Sequence, residues 1–373
     1  MFDPNHIPPH YLVEPEPEDM SLEERWEAFE PYWEATRNTA FARHVLIAVR
    51  DLFGFDDLNR NTYSQVSKAI TDSRRPGWYH HIMKENANIG ISIIDLGTTN
   101  VDRKLFVPVM ELDNFAATHS RRELVSLEEE TDIAIHSLDD LVKAMHTALE
   151  KYLQNGAIGI KSELAYFRTL RFDKVTRQEA ETVFNRIASH LGEGPSWSEA
   201  KPLQDYMVHQ IIRAAIDAGL PMQIHTGYHF GNENIITNSN PTDLINLFIE
   251  YREARFVLFH GGYPYVHQWT LLSKTFPNVY ADLCWLHVIS PEIYRRLLGE
   301  VIETVPSNKI MAFGGDTRTV EMAYAHSRMA RQVLARVLSE KVAEGYLKEA
   351  EAVVLARKML RDNVAALFKL QLS

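Results

Sequence analysis

Short apolar runs alternate with longer helical segments along most of this chain, and this alternation constrains the fold more than any other feature. Each run is too short for a helix and apolar on both sides, so each is predicted to be a buried strand. Strands that alternate with helices form a parallel sheet covered by helices, as in a (β/α)8 TIM-barrel. The seven predicted strands are residues 89–96, 105–110, 157–161, 222–225, 256–260, 279–282 and 310–313.

Seven strands are one fewer than a closed eight-stranded barrel contains. Residues 18–86 are predicted to be helical, with a capping box at Ser21 and Glu24. The barrel strand that the sequence lacks is therefore the first one. Either an atypical segment at residues 2–12 takes its place, or the chain begins after it. We therefore predict one barrel domain over residues 1–373, in which a helical segment of about 18–86 precedes the strands and C-terminal helices of 87–373.

The composition is that of an ordinary globular protein, with 45% hydrophobic and 24% charged residues among 373. A formal net charge of −11 argues against nucleic acid or an anionic membrane surface as the partner. Cys284 is the only cysteine, which excludes an internal disulfide framework and suits a reducing cytoplasm. The N-terminal residues lack the features of a signal peptide, and no apolar run approaches the roughly 20 residues of a membrane span. The expectation is a cytoplasmic enzyme with a small-molecule substrate, and a homo-oligomer is left open.

Polar side chains stand at the C-terminal ends of five predicted strands. Because these ends share one face of a parallel barrel, residues far apart in the sequence converge there. Imidazole and carboxylate groups are typical ligands of zinc and similar divalent cations. A single histidine at a strand end is more commonly a core residue bonded to backbone, but the recurrence on several loops predicts a functional site. The five residues are Lys161, His225, His260, Asp282 and Asp316.

Several motifs resemble those of the amidohydrolase superfamily. They are PMQIHTG at 221–227, FVLFHGGYP at 256–264, FGGDT at 313–317 and DNVAALF at 362–368. GIKSELAYFRTL at 159–170 is similar to a segment of the amidohydrolase-2 group, in particular of the nodulin-type domains related to those fused to glutamine synthetase. The resemblance extends from about residue 89 to the C-terminus. It is specific to the superfamily and not to one substrate.

The resemblance implies a metal-dependent (β/α)8 barrel and a role for each matching residue. His225 corresponds to a metal ligand, Asp316 to an aspartate that binds metal and moves a proton, and His260 to a histidine close to metal and substrate. Lys161 stands where some members carry a carboxylated bridging lysine, and here it is expected to remain a lysine that binds a substrate carboxylate. The implied metal is divalent, zinc in the first place, with manganese as the alternative.

The chain departs from the family pattern because it contains no His-x-His, the usual metal pair after the first strand. His225 and Asp316 are two ligands, whereas a catalytic zinc has about three protein ligands, and His260 is the candidate third. His6 and His10 are the substitutes we expect if their proline-rich segment lies extended along the edge of the sheet. Occupancy of the metal site therefore depends on ligands that the motifs do not guarantee.

The leading hypothesis is a metal-dependent hydrolase, in which a metal-activated water attacks a C–N, C–O or lactone bond of a small, carboxylated substrate. Asp316 is the predicted general base, and His260 is predicted to stabilise the developing oxyanion. Lys161, Arg168 and Tyr228 are the predicted substrate-binding residues, since basic side chains pair with carboxylates.

Two alternatives remain open. The same metal site would serve a decarboxylase or a sugar-acid isomerase. A barrel without its usual metal pair could instead be catalytically silent and act as a binding module. Arg171 is a further candidate for holding an acidic group, unless this basic segment is only a solvated loop.

Overall fold

The computed structural model describes residues 20–190, 194–231 and 233–371. Eight short strand segments occur in this part of the chain, and every pair among them is parallel. They are β1 (Ser92–Ile94), β2 (Phe106–Pro108), β3 (Met110–Glu111), β4 (Ile160–Ser162), β5 (Pro221–Ile224), β6 (Arg255–Leu258), β7 (Val279–Asp282) and β8 (Ile310–Met311). Every segment overlaps one of the seven predicted strands.

Helices precede, separate and follow these strands. The N-terminal ones are α1 (Leu22–Thr36), α2 (Ala40–Phe53), α3 (Tyr63–Ser73) and α4 (Trp78–His80), which continues as a π-helical turn over His81–Asn86. Those between the strands are α5 (Asp113–Ala116), α6 (Arg121–Thr131), α7 (Leu138–Gln154), α8 (Arg177–Ser189), α9 (Trp197–Asp217), α10 (Ile245–Glu250), α11 (Val266–Thr275), α12 (Leu286–Ile289) and α13 (Pro291–Thr304). The last are α14 (Val320–Ala343), α15 (Glu349–Arg357) and α16 (Asn363–Leu367), with a π-helical turn at Lys358–Asp362.

The strands follow one another in space in the order of the sequence. β1 pairs with β2, and β3 to β8 form a second sheet in chain order. β2 and β3 are one stretch interrupted at Val109, whose N–H donates to the Ile94 carbonyl at 2.9 Å. On the other side of this stretch, the Met110 N–H donates to the Gly159 carbonyl at 3.2 Å. Sequential parallel strands with intervening helices are the arrangement of a (β/α)8 barrel, which confirms the predicted fold class.

In the described part of the chain no strand precedes β1, and no ladder joins β8 to β1. This agrees with a barrel whose first strand is missing or atypical. The segment at residues 2–12, and with it His6 and His10, lies outside the described residues. Just after β8, the Ala312 N–H donates to the Met359 carbonyl at 3.0 Å, so C-terminal chain pairs with the backbone there.

Alternate residues of a strand enter different buried clusters, as the two-residue period of a β-strand requires. On β6, Phe256 and Leu258 belong to the large cluster between the strands and the surrounding helices. Val257 and Phe259 belong to a second cluster on the opposite face of the sheet, to which α2 also contributes. Burial on both faces explains why the sequence of β6 is continuously apolar.

Capping residues set the ends of several helices. Ser21 and Glu24 form the predicted capping box of α1, with the Ser21 N–H donating to Glu24 Oε2 at 2.7 Å. Helix α2 ends at Gly54, whose φ of 76° is in the left-handed region that glycine adopts most easily. Pro291 occupies the first turn of α13, where its missing N–H costs nothing, and the side chain of Ser290 caps that helix.

The N-terminal helices pack on α14, the helix that follows the last strand. Trp78 Nε1 donates to Glu321 Oε1 at 2.7 Å, and the Tyr324 hydroxyl donates to Asp51 Oδ2 at 3.2 Å. The N-terminal helical segment is therefore held against the side of the barrel that carries the last strand.

None of the described helices combines the length and the apolar character needed to cross a lipid bilayer.

The C-terminal motif DNVAALF has a structural role. Asn363 Nδ2 donates to the carbonyls of Ile310 and Ser307 at 2.7 and 2.8 Å. The carbonyl of Leu367 accepts from Arg255 Nη1 at 3.0 Å. These bonds tie the end of the chain to the beginnings of β8 and β6, at the end of the strands opposite to the polar rim.

Candidate functional site

His225 directly follows β5 and is fixed by its backbone and by its ring. Its N–H donates to the Ser162 carbonyl at 3.0 Å, which continues the ladder between β4 and β5. The ring is almost fully buried, and Nε2 lies 2.9 Å from the Tyr228 carbonyl. Gly227 makes the tight turn possible, because its φ is 78° and a Cβ there would overlap the carbonyl oxygen of Tyr263. The loop therefore aims Nδ1 of His225 along the rim.

His260 follows β6 in the same way and has a left-handed φ of 63°. A non-glycine residue in this region is uncommon, and such strain is concentrated at functional sites. Its ring is fully buried, and Nδ1 lies 3.0 Å from the Cys284 carbonyl in the loop after β7. That bond leaves Nε2 directed at His225.

Asp316 lies in the loop after β8 and also has a positive φ, 44°. The preceding glycines bring this loop close to the β7 loop, since a Cβ at Gly314 would lie 2.5 Å from Cys284 Sγ. The Trp285 N–H donates to the Gly314 carbonyl at 2.9 Å, and His326 Nδ1 lies 2.6 Å from the Gly315 carbonyl. These contacts hold the carboxylate of Asp316 at the rim, where its side chain is 44% exposed.

The hydrogen-bond partners assign the protons of the two histidines. His225 Nε2 and His260 Nδ1 each face a carbonyl oxygen, which only accepts, so each of these nitrogens carries the hydrogen. His225 Nδ1 and His260 Nε2 are then both unprotonated, yet they lie 3.2 Å apart. Asp316 Oδ2 lies 3.6 Å from the same His260 Nε2. The lone pair of His260 Nε2 thus faces both His225 Nδ1 and the carboxylate of Asp316 with no hydrogen between them, an arrangement that a cation beside His260 would satisfy.

A divalent metal fits this position better than a proton does. Burial lowers the pKa of His225 well below 6.5, and His260 and Lys161 add to the effect. Burial also lowers the pKa of His260, against the opposing charge of Asp316. Neutral imidazoles are the form that binds metal, and two nitrogens on one tetrahedral zinc lie about 3.3 Å apart, given Zn–N bonds of about 2.0–2.1 Å.

Cys284 supplies a further potential ligand next to this position. One ligand atom each from His260, Cys284 and Asp316 lies within 4.8 Å of the others, which no other group of three such residues achieves in the described part of the chain. Burial raises the pKa of the Cys284 thiol well above 9, with Asp316 and Asp282 adding to the shift. The thiol is therefore protonated unless a cation binds beside it.

The other half of the rim, at β1 to β4, is a buried cluster of carboxyls around one lysine. Asp95 and Glu111 are close enough to repel each other, and burial together with the charge of Asp95 raises the pKa of Glu111 well above 4.5. Lys161 Nζ lies 2.7 Å from Glu163 Oε1 and 5.1 Å from the centre of the Phe259 ring. Burial opposes the charge of Lys161, but Glu163 and Asp316 raise its pKa above 10.5.

Asp113 completes this carboxyl cluster. Its Oδ2 accepts from the Glu163 N–H at 2.5 Å and from the Ser162 hydroxyl at 3.2 Å. Burial raises its pKa to about 7 in spite of these bonds. Sequence reasoning found Lys161 but missed its four acidic neighbours, because each acid is a single residue at or just beyond the end of a short strand. The alternation of Glu111, at the end of β3, with Asp113, at the start of α5, was the available signal.

The remaining predicted site residues lie in different surroundings. Tyr228 is half-buried beside the rim, with its ring centre 5.7 Å from that of Trp285, so it stays a candidate for substrate binding. Asp282 is buried and accepts from the Cys284 N–H at 2.8 Å, and burial raises its pKa to about 7. It belongs to the loop architecture rather than to the exposed rim.

Arg168 is not among the groups that surround His225. It is buried, and its guanidinium binds Asp205 Oδ1 at 2.6 Å and Gln204 Oε1 at 2.9 Å. Arg171 is exposed and binds Asp173 at 2.7 Å. Both arginines thus have protein partners, Gln204 and Asp205 on α9 for Arg168 and the nearby Asp173 for Arg171.

Two rings that the sequence analysis did not select pack against His225. The Tyr166 ring centre lies 4.6 Å and the His229 ring centre 5.2 Å from that of His225, and the two imidazoles are stacked. The Tyr166 hydroxyl accepts from the Phe230 N–H at 3.2 Å. These rings line the candidate cation position on the side of the β5 loop.

The sequence profile of the family described as Amidohydrolase matches residues 168–370, which is more than half of the chain. The chain belongs to the amidohydrolase family. The profile of a second family, Glucuronate isomerase, matches residues 77–243. Between them the two profiles cover the barrel, and the second one includes the carboxyl-rich half of the rim.

Among curated relatives of this amidohydrolase, Protein fluG of Emericella nidulans is 29% identical over 222 residues, covering 57% of the chain and 26% of the relative. A uronate isomerase of Sphingopyxis alaskensis is 26% identical over 215 residues, covering 52% of the chain and 45% of the relative. The chain thus spans about a quarter of one relative and under half of the other.

The solved structure of a uronate isomerase from Thermotoga maritima superposes with a TM-score of 0.78. It is 17% identical, and the match covers 94% of this chain and 83% of that one. At this level of identity the superposition shows the shared fold, and it extends over nearly the whole barrel.

Proposed function

We propose that this amidohydrolase is a metal-dependent isomerase of a sugar acid, one that interconverts the aldose and ketose forms of a uronate. The observation that carries the proposal is the convergence of His225, His260 and Asp316 on one cation position opposite a carboxyl-rich wall. The likeness of residues 77–243 to the glucuronate isomerase family and the uronate isomerase relative support the choice of substrate.

A divalent cation there would be held by His260 Nε2, one oxygen of Asp316 and Cys284 Sγ, whose ligand atoms lie within 4.8 Å of one another, and His225 Nδ1, 3.2 Å from His260 Nε2, would be the fourth ligand after a small movement. A divalent metal there supplies Lewis acidity, which polarises a carbonyl oxygen and stabilises the negative charge that develops on it. The side chain of Asp316 is 44% exposed, so its second oxygen is the candidate to accept a proton and to exchange it with solvent. It would take the proton from C2 of the aldose and deliver a solvent-exchanged proton to C1, while a proton moves from the C2 hydroxyl to the C1 oxygen.

The carboxyl-rich wall suits a polyhydroxylated substrate. Carboxylate oxygens of Asp95, Glu111 and Glu163 accept hydrogen bonds from sugar hydroxyls. Lys161 supplies the positive charge that a sugar-acid carboxylate requires, and Tyr228 contributes a ring and a hydroxyl at the edge of the site. An amide or a simple ester offers fewer hydroxyl donors and leaves this wall unpaired.

Hydrolysis is the second candidate. It uses the same cation, with Asp316 as the base that activates water, and the match of residues 168–370 to the amidohydrolase family favours it. The two reactions differ in substrate, because hydrolysis requires a lactone or amide bond whereas isomerisation requires a free uronate.

One assay separates the two reactions. The purified protein, supplied with zinc or manganese, is incubated in D2O with glucuronate, galacturonate or their lactones, and the products are followed by proton NMR. We expect the uronates to give a ketose with deuterium at one carbon, and we expect chelation to abolish the reaction. His146→Gln, on the exposed face of α7, should react normally and serves as the control.

The outcomes decide between the candidates. Lactone opening without exchange in the uronates would replace the isomerase by a hydrolase. A protein that binds metal but transforms none of these compounds would exclude both and leave the binding module. Undiminished turnover in the chelated protein would reject metal-dependent catalysis altogether.

A further inference from the structure

We propose that His44, His287 and His326 form a second site for a divalent cation of the zinc class, separate from the one at the rim. The three residues lie on α2, α12 and α14, and so on both sides of the junction between the N-terminal helices and the barrel. This inference goes beyond the proposed function and does not depend on it.

The three imidazoles form a continuous cluster inside the protein. The ring centres of His44 and His326 are 4.8 Å apart, and those of His287 and His326 are 5.3 Å apart. His287 is fully buried and His326 is 2% exposed, whereas His44 lies at the half-buried edge on α2. Their other ring neighbours are aromatic, namely Phe41, Tyr294 and Phe313.

Each ring of the cluster has a buried nitrogen without a hydrogen-bond partner in the described part of the protein. These atoms are Nδ1 of His44, Nε2 of His326 and both ring nitrogens of His287. Buried polar atoms are nearly always paired, so one unpaired atom calls for an explanation, and four on three adjacent rings call for a shared one. A cation that accepts a lone pair from each ring is such an explanation.

The orientation of His326 supports this assignment. Its Nδ1 lies 2.6 Å from the Gly315 carbonyl, so Nδ1 carries the hydrogen and Nε2 presents a lone pair to the cluster. A ligating histidine commonly donates its other N–H to a backbone carbonyl, which fixes both the tautomer and the ring. His326 already shows that arrangement.

The spacing of the rings matches shared coordination. Two imidazoles on one tetrahedral zinc, with Zn–N bonds of about 2.0–2.1 Å, have ring centres about 5 Å apart. The described cluster is more open than a closed site, because its three ligand atoms do not all lie within 4.8 Å of one another. Rotation of the His44 side chain, at the half-buried edge, is the movement that would close it.

The chemistry of the cluster selects the class of cation. Burial lowers the pKa of His44 to about 4 and that of His326 to about 3, so both rings are neutral at pH 7. The groups that shift the pKa of His287 are burial and the other two histidines, with no carboxylate among them. Three imidazoles suit zinc, cobalt or nickel, whereas calcium and magnesium prefer oxygen ligands.

A cation here would fasten α2 to α12 and α14. Because His326 also binds the carbonyl of Gly315, the residue before Asp316, the site would brace the loop that carries the rim carboxylate. The expected effect is structural: a higher melting temperature and tighter docking of the N-terminal helices.

Cobalt(II) is the probe for this site, since its visible spectrum reports tetrahedral nitrogen coordination. The full chain is freed of metal and titrated with cobalt, and bound metal per chain and melting temperature are measured. Wild type should bind two equivalents and His44→Gln one, and His146→Gln should bind two. His44→Gln should also lose the cobalt-dependent rise in melting temperature that this site confers, while its metal-free melting temperature stays near that of wild type.

A second background separates this site from the rim. The double variant His225→Ala/Asp316→Asn lacks the rim ligands and should retain one equivalent, which His44→Gln then removes. If the rim binds no metal, wild type should bind a single equivalent that His44→Gln abolishes, so failure of the proposed function leaves this test intact. Equal cobalt binding by wild type and His44→Gln would overturn the proposal.

Discussion

The two halves of the barrel rim hold their polar groups in opposite ways. At β5, β6 and β8, His225 and His260 turn unprotonated nitrogens toward each other with Asp316 beside them. At β1 to β4, burial and Asp95 raise the pKa of Glu111, and Lys161 pairs with Glu163. The first half presents lone pairs that suit a cation from outside the chain, whereas the second contains its own positive charge.

This difference determines whether a substitution at the rim affects ligand binding or the stability of the fold. A group whose partner comes from outside the chain can be removed with little cost to the fold, but its removal prevents the ligand from binding. A buried group that is paired within the protein does the reverse, because its removal leaves an uncompensated charge. Substitutions in the histidine half should therefore act on metal binding and leave stability nearly unchanged, whereas substitutions in the carboxyl half should reduce stability as well as substrate binding.

The largest expected effect is on catalysis at the histidine half. Asp316→Asn keeps the shape of the side chain but removes its charge and its basicity. We expect kcat/KM to fall by about 10³-fold or more, which corresponds to about 4 kcal/mol, and metal affinity to fall with it. Unfolding by urea should be nearly unchanged, since the carboxylate is 44% exposed. A variant with normal turnover but reduced stability would show that Asp316 is paired within the protein and does not act in catalysis.

The next effect is on stability at the carboxyl half. Lys161→Met removes the cation from a cluster of buried acids, and breaking a buried ion pair costs about 3 kcal/mol or more. We expect the urea midpoint to fall accordingly, and Lys161→Arg to recover part of the loss. If Lys161→Met were as stable as wild type, Lys161 would not be the neutralising charge of this half.

A smaller effect concerns pH. Burial raises the pKa of Asp113 to about 7 in the folded protein, above its unfolded value of about 3.9, so the folded state binds the proton more tightly. Its stabilising contribution is therefore complete below about pH 4 and is lost as the pH rises toward 7. Asp113→Asn should reduce the fall in unfolding free energy between pH 5 and pH 7 by about 2 kcal/mol. Parallel profiles for the variant and wild type would show that Asp113 titrates normally.

The smallest effect is expected at Arg171, outside both halves. Its side chain is about half exposed and pairs with Asp173, so Arg171→Ala should change stability by less than about 0.5 kcal/mol. KM for the substrate should also stay the same, because the guanidinium is held by Asp173. A several-fold rise in KM would restore the substrate-binding role that the sequence indicated.

The histidine half was predictable because its residues sit in motifs. His225, His260 and Asp316 each follow an apolar run and stand beside glycines, and the parallel topology requires such residues to converge. The sequence could not show that the two ring nitrogens face each other, since that depends on carbonyls in other loops. It also could not place Cys284 beside them, because the approach of the β7 and β8 loops is a tertiary contact.

Most residues of the carboxyl half could not be predicted from the sequence. Asp95 follows the three-residue strand β1 and Glu111 ends the two-residue strand β3, and no local pattern distinguishes them from surface acids. Arg168 illustrates the reverse case: it stands in a motif with a basic character, but Asp205 on α9 pairs with its guanidinium. Pairing across 37 positions of sequence is set by packing, which sequence periodicity does not report.

The most direct test of the account is the anomalous diffraction of crystals soaked in zinc and measured at the zinc edge. A metal at the rim should appear as a peak about 2.0–2.3 Å from His225 Nδ1, His260 Nε2 and an oxygen of Asp316. A map without a peak there, in which the two nitrogens remain 3.2 Å apart, would show that a proton joins the histidines and would contradict the proposed metal centre.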